Sequence, residues 1–322
     1  MGLEMYHPYF RGKQYELITI RETAEMLAEA GFIPIIEPVR EQTNGLKKAL
    51  QEICDAGGRV IVIVNPQIGD HSHDGANIVE LLQEEFDDRD NLIYGLLLTE
   101  DMTVADVLGL CEDFEGKELA FIHAGFADGR ALADETRYLE QIRTSVFLED
   151  FCGKLYQRHF VGHENKILVR DGFQQRRNRD HPDAPEFFSD LHATYELENM
   201  TGFGDYLIVG DDYRESGGPA YTVAIHLTYI DYDKDEEMHI RHFKSDRQDT
   251  PKDPAGKFAE ALQKLINLLN GPNSKYVETE AIEEFRDLHH RGHYPGLGYV
   301  KKLSMKHHIE TLADYFEEEA AE

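Results

Sequence analysis

Seven polar residues each close a short apolar run in the first 171 positions: Arg11, Glu37, Asn65, Glu100, His123, Asp150 and Asp171. Carboxylates, an imidazole, an amide and a guanidinium are the groups of general acid–base catalysis and of metal-assisted hydrolysis of an anionic substrate. In an enzymatic reading Glu37 or Asp150 is the base, and His123 or His226 is the acid or a metal ligand. Arg11 with Arg176 then clamps the anion. A plainer reading stands beside it, because strand ends are polar wherever loops meet water. Glu37 departs from that pattern, wedged between Ile35-Ile36 and Pro38. His123, which follows a buried run, suits a structural histidine equally well.

Further along, Arg176-Arg177-Asn178-Arg179 offers guanidinium forks that bind phosphate or carboxylate oxygens in bidentate fashion. The acids between Asp180 and Asp190 can equally pair with it at the surface. His226, His242 and Asp246 can hold a divalent metal ion, although their spacing matches no established metal motif. His307 and His308 are adjacent on a helix and point about 100° apart, so they do not easily share one ion. There is no Walker loop, GxSxG or HExxH, and Gly202-Phe203-Gly204 is too short for a dinucleotide fingerprint.

These side chains meet only if the backbone brings them together, and the repeating pattern says how. Apolar runs at Tyr6–Phe10, Phe32–Ile36, Val60–Val64, Leu92–Leu98, Leu119–Ile122, Thr144–Leu148 and Lys166–Val169 read as strands. Amphipathic segments follow them, among them Tyr15–Ala30, Leu46–Ala56 and Asn77–Phe86, and Thr103 suits the N-cap of another. A strand–helix cycle of about 30 residues predicts a TIM-like (β/α)8 barrel, an α/β fold that gathers its chemistry at the carboxyl ends of its strands. The cycle breaks after residue 172. Strand eight is either Tyr206–Val209 or Val223–Tyr229. The alternation Val223, Ile225, Leu227, Tyr229 and the run Met238–Phe243 predict an added antiparallel hairpin over 221–246. Lys257–Leu269 and about Lys306–Glu318 read as helices. The expected organisation is a barrel over 1–270, hairpin included, with 271–322 as a C-terminal helical extension packed on it.

The chain has 322 residues, 41% of them apolar, and a formal charge of -29. That charge argues against indiscriminate nucleic-acid binding, which runs on Lys and Arg. Two islands reverse it, Lys154–Arg179 and Arg286–His308. Each either focuses a field on an anionic ligand or is locally solvated charge. Cys54, Cys111 and Cys152 lack CxxC spacing and read as free buried thiols of a reducing compartment. No apolar run is long enough to span a membrane, and residues 1–10 show no signal-peptide pattern, so the expectation is a cytoplasmic protein without membrane contact.

Several motifs together resemble a known family. They are Tyr6-His7-Pro8-Tyr9-Phe10-Arg11-Gly12-Lys13-Gln14-Tyr15-Glu16-Leu17, Ile33-Pro34-Ile35-Ile36-Glu37-Pro38, Asn65-Pro66, Ile122-His123-Ala124-Gly125-Phe126, Arg177-Asn178, Phe187-Phe188-Ser189, Gly202-Phe203-Gly204-Asp205-Tyr206, Ala224-Ile225-His226, Ser245-Asp246, Gly256-Lys257-Phe258, Pro295-Gly296-Leu297-Gly298 and His307-His308. They span nearly the whole chain and resemble a family of uncharacterised bacterial proteins named after a myxobacterial member. A more distant similarity runs to the beta-protein family of phages and bacteria. Phe10 and Lys244 depart from the family pattern. The resemblance implies an accessory role in bacterial antiviral defence regions, with a small nuclease-like protein encoded nearby as partner. It adds Asp205 and His308 to Arg11, Asn65, Arg176 and Asn178 as candidates for binding an anionic small molecule or a nucleic-acid end. Three functional classes stay open: a protein that binds, and in its enzymatic form hydrolyses, a nucleotide or other phosphate-containing ligand at the barrel mouth, a non-catalytic sensor or scaffold, and a metabolic barrel enzyme unrelated to defence.

Overall fold

The computed structural model describes residues 4–215 and 218–321. Its strands are β1 (Tyr9–Phe10), β2 (Ile35–Ile36), β3 (Val60–Ile63), β4 (Leu92–Thr99), β5 (Leu119–Ala124), β6 (Ile142–Leu148), β7 (Asn165–Arg170), β8 (Glu186–Ser189), β9 (Gly202–Asp205), β10 (Ala224–Asp231) and β11 (Glu237–Lys244). Eight of them, β1 to β7 and then β9, form one parallel sheet in sequential order. A parallel bridge between Tyr6 and Phe203 joins its first and last members. There the Phe203 N–H donates to the Met5 carbonyl at 2.7 Å, and the His7 N–H to the Phe203 carbonyl at 2.8 Å. The sheet is a nearly closed (β/α)8 barrel, as the strand–helix cycle predicts.

Neither candidate for strand eight forms it. The eighth strand is Gly202–Asp205, directly before the first candidate, and Val223–Tyr229 lies in another sheet. Glycine explains both the position and the weak signal. A Cβ on Gly204 would stand 2.2 Å from the His7 carbonyl oxygen, so only glycine lets the closing strand approach the first. That requirement removes the apolar side chains by which strands are recognised.

Inside the barrel, alternate residues pack into one apolar core: Ile35 of β2, Ile61 and Ile63 of β3, Ile122 of β5, Val146 of β6 and Val169 of β7. The neighbours of these residues in sequence, such as Phe121 and Phe147, therefore face the opposite side of the strands. The segment expected as one helix over Tyr15–Ala30 is two, Gln14–Glu22 and Ala24–Ala30. Between them Thr23 donates its hydroxyl to the Thr19 carbonyl, as Thr19 does to Tyr15. Such back-bonding competes with the helix ladder and bends it.

Thr103 caps the helix Val104–Asp113 as expected, accepting from the Asp106 N–H while Asp106 accepts from the Thr103 N–H. Thr103→Ala is expected to cost about 1 kcal/mol, read by chemical denaturation; an unchanged midpoint would show that this cap contributes nothing.

The chain divides into two compact units, one of residues 1–171 with 194–206 and the other of 172–193 with 207–322. The boundary therefore differs from the one expected at residue 270, and the hairpin groups with the C-terminal helices rather than with the barrel. In the second unit β10 pairs with β11 and β11 with β8, all antiparallel. Val223, Ile225, Leu227 and Phe243 pack against Phe258 and Leu262 of the helix Pro254–Leu269 and against Ile282 and Phe285 of the helix Glu280–Arg291. The apolar face that marks the hairpin in the sequence is the face these helices cover. The last helix, Leu297–Ala321, begins nine residues before the expected start at Lys306.

Candidate functional site

In the barrel unit, Glu37 and Arg11 meet. Both continue the inward-facing alternation of their strands beyond its last regular residue. Glu37 is 1% exposed and Arg11 12%, and they form an ion pair through Oε2 and Nη1. The Tyr9 hydroxyl donates to the same carboxylate at 2.8 Å, and the Gln67 N–H approaches its other oxygen at 3.4 Å. The guanidinium lies 5.2 Å from the ring centroid of Tyr9 and 5.4 Å from that of Tyr206. Burial and the neighbouring Glu37 carboxylate raise the Tyr9 hydroxyl well above its ordinary range, so it stays a donor.

Asn65 also sits at this end, but its amide is engaged with the backbone. Nδ2 donates to the Leu97 carbonyl at 2.9 Å, and Oδ1 accepts from the Leu97 N–H at 2.8 Å. The side chain thus extends the sheet between β3 and β4. Glu100 and Asp150 are exposed in the turns that follow their strands. The buried environment expected of a general base is absent at Asp150.

His123 does not face the mouth. Ala120 and Ile122 point into the barrel core, so the alternation turns His123 to the outer side, where it stacks on Phe147 at 4.7 Å and meets Phe160 at 4.4 Å. Its ring nitrogens bond to the Tyr156 hydroxyl at 2.8 Å and the Ser145 hydroxyl at 3.1 Å, and Ser145 contacts His163 at 2.8 Å. Burial holds the ring neutral. The structural reading of His123 is the one its surroundings support. Asp205 likewise faces outward on β9, accepting from the Tyr6 hydroxyl at 3.0 Å.

A cleft of about 670 Å³ opens beside this end of the barrel unit, between the segments that follow β1, β2 and β3. Arg21, Arg40 and Lys48 line it, together with Gly12, Glu41 and Asp70. The Glu41 N–H holds Asp70 at 2.9 Å. Arg21 and Lys48, both exposed, form no ion pair among the described residues. The first residues of the helix Asn44–Asp55 also reach the cleft, and Thr43 makes no side-chain cap to them.

The remaining sequence candidates belong to the second unit. Arg176 pairs with Glu186 at 3.0 and 2.7 Å, and Asn178 donates to the Thr222 carbonyl at 2.9 Å. His308 is buried against Phe188 and bonded to the Thr228 hydroxyl at 2.9 Å, and His307 to Thr279 and the Thr228 carbonyl. Asp246 is 73% exposed and paired with Lys264, so it does not join His226 and His242. Two other residues do. His226 and His242 face each other across β10 and β11 with Nδ1 atoms 2.6 Å apart, and His181 lies against His242 with ring centroids 4.1 Å apart. Glu186 Oε1 accepts from His242 Nε2 at 2.8 Å. Burial keeps all three imidazoles neutral, lowering that of His242 to about 4.

The chain matches no protein-family model, and no curated protein is significantly similar to it. The geometry of its own residues therefore carries the functional argument. His181 and Glu186 are the residues that spacing does not reveal. The signal for them is faint: Glu186-Phe187-Phe188-Ser189 is a short β-prone run, and His181 stands in a charged loop before it. Arg21 and Lys48 read in the sequence only as helix-surface charge.

Proposed function

We propose that this protein binds a phosphate-bearing anion in the cleft beside the carboxyl end of the barrel. One observation carries the reading: among the described residues Arg21 and Lys48 form no ion pair, although Glu41 and Asp70 share their cleft, in a chain with 62 acidic residues against 33 basic ones. Where acids outnumber bases, an unpaired cation is what a ligand rather than a neighbour neutralises. The place also suits the fold, since the loops after barrel strands are where barrels bind and react. Binding, more than hydrolysis, is what the geometry supports. Glu37 is held by Arg11 and Tyr9, which suits it to fixing the rim, and the two carboxylates that line the cleft, Glu41 and Asp70, are exposed.

The test is titration with inorganic pyrophosphate followed by calorimetry. The double change Arg21→Glu with Lys48→Glu is expected to weaken binding at least 10-fold and to flatten its salt dependence. Equal affinity in the variant, or no binding to the parent protein, would remove the cleft from consideration.

By the family resemblance, the setting proposed for this activity is a bacterial defence-type module. The three free buried cysteines, with Cys111 and Cys152 raised by burial to about 11, suit the reducing cytoplasm. Among the described residues no helix is long and apolar enough to cross a membrane. A second reading, a scaffold for a small nuclease-like protein, has its own observation. Phe151, Leu155, Val161 and Leu197 are exposed on the barrel unit, where the Lys154–Glu198 ion pair joins their two segments. A complex that elutes as one species on size exclusion and is split by Leu155→Asp would favour it.

A further inference from the structure

We propose that His181, His226 and His242 bind one first-row divalent cation of the zinc type, with Glu186 orienting His242. The three come from separate segments: the loop after Asn178–Asp180, β10 and β11. One nitrogen from each lies within 4.8 Å of those of the other two. Zinc–nitrogen bonds of about 2.1 Å place tetrahedral ligands about 3.4 Å apart, so side-chain shifts of about 1 Å bring all three to one ion.

The hydrogen bonds select the nitrogens. An ionised Glu186 only accepts, so His242 carries its proton on Nε2 and presents the Nδ1 lone pair to His226. A carboxylate on the far nitrogen of a ligating histidine is the usual outer partner of a metal site, where it fixes tautomer and ring orientation. Glu186 is itself fixed by Arg176. The His226 Nδ1 now shares a single proton with His242; moving it to Nε2 frees a second lone pair toward the same point. His181 supplies an independent sign. Its ring is buried and its Nδ1 has no hydrogen-bond partner, because Glu186 at 3.7 Å is too distant. A buried nitrogen left bare costs stability unless something occupies it. Phe173 stands edge-on to His226 at 5.3 Å and walls the cluster with an apolar ring. Three imidazoles leave a tetrahedral ion one position for water or for an anionic group.

This site is separate from the barrel cleft and does not depend on the anion reading. The experiment is zinc titration of the full chain after chelator treatment and dialysis, with bound metal counted by elemental analysis. One zinc per chain is expected. His226→Asn and His242→Asn should each lower affinity at least 100-fold, and Glu186→Gln 10- to 100-fold. His290→Ala, exposed near the end of the helix Glu280–Arg291, should change nothing. If the asparagine variants fail to fold, cobalt substitution of the parent protein decides: intense visible bands of a four-coordinate ion support the site, and the pale spectrum of a six-coordinate ion overturns it. No zinc above background, or zinc retained by both folded asparagine variants, also overturns it.

Discussion

Acidification from pH 7 to pH 4 is expected to unfold the protein cooperatively. Burial lowers His7 from the ordinary 6.5 to about 3, and His192 and His307 to about 4. A base whose folded pKa lies below its unfolded one binds more protons when unfolded. Stability is therefore whole above pH 6.5, declines as the pH falls below it, and is fully lost only below the folded values. Each of these three rings contributes about 3 kcal/mol across that window, against a total of roughly 5–15 kcal/mol for a typical domain. The barrel unit holds His7 and the second unit the other two, so both should fail. Circular dichroism against pH should show a transition centred between 4 and 6. Retention of the native signal at pH 4 would mean these rings are protonated in place, beside groups able to stabilise the charge.

The second large effect lies at Glu37. Replacing it by glutamine removes the buried charge that pairs with the Arg11 guanidinium, which Tyr9 and Tyr206 still shield. Breaking a buried pair in this way costs about 3–5 kcal/mol, whereas removing both charges is far less damaging. Urea denaturation of Glu37→Gln should show that loss, and Arg11→Met with Glu37→Gln should recover most of it. A single variant as stable as the parent would mean that Glu37 does not hold the rim and is free for chemistry.

These two cases also show what could be read from the chain. The barrel was legible because two-sided burial writes each strand as a continuous apolar run, as in Val60–Ile63. Glu37 stood out for the same reason, as a charge inside such a run. Gly202–Asp205 was hidden because close approach to the first strand demands glycine at the positions a strand is recognised by. A strand end says nothing of which side a residue faces, so His123 reads as a rim residue from the sequence. The alternation Ala120, Ile122 held that information. The helix Glu280–Arg291 is absent from the sequence reading, although a Thr279 cap, a Gly292 stop in the left-handed region, and Ile282, Phe285 and Leu288 on one face mark it. The metal cluster was half visible. His226 and His242 follow from hairpin register, but His181 and Glu186 enter through a long-range strand pairing that no local pattern encodes.

An anion is proposed to occupy the cleft beside the barrel's carboxyl end. Crystals soaked in tungstate, a heavy stand-in for phosphate, test it most directly through anomalous scattering. A tungsten peak is expected between Arg21, Arg40 and Lys48. Tungsten ordered elsewhere, with none in that cleft, would contradict it.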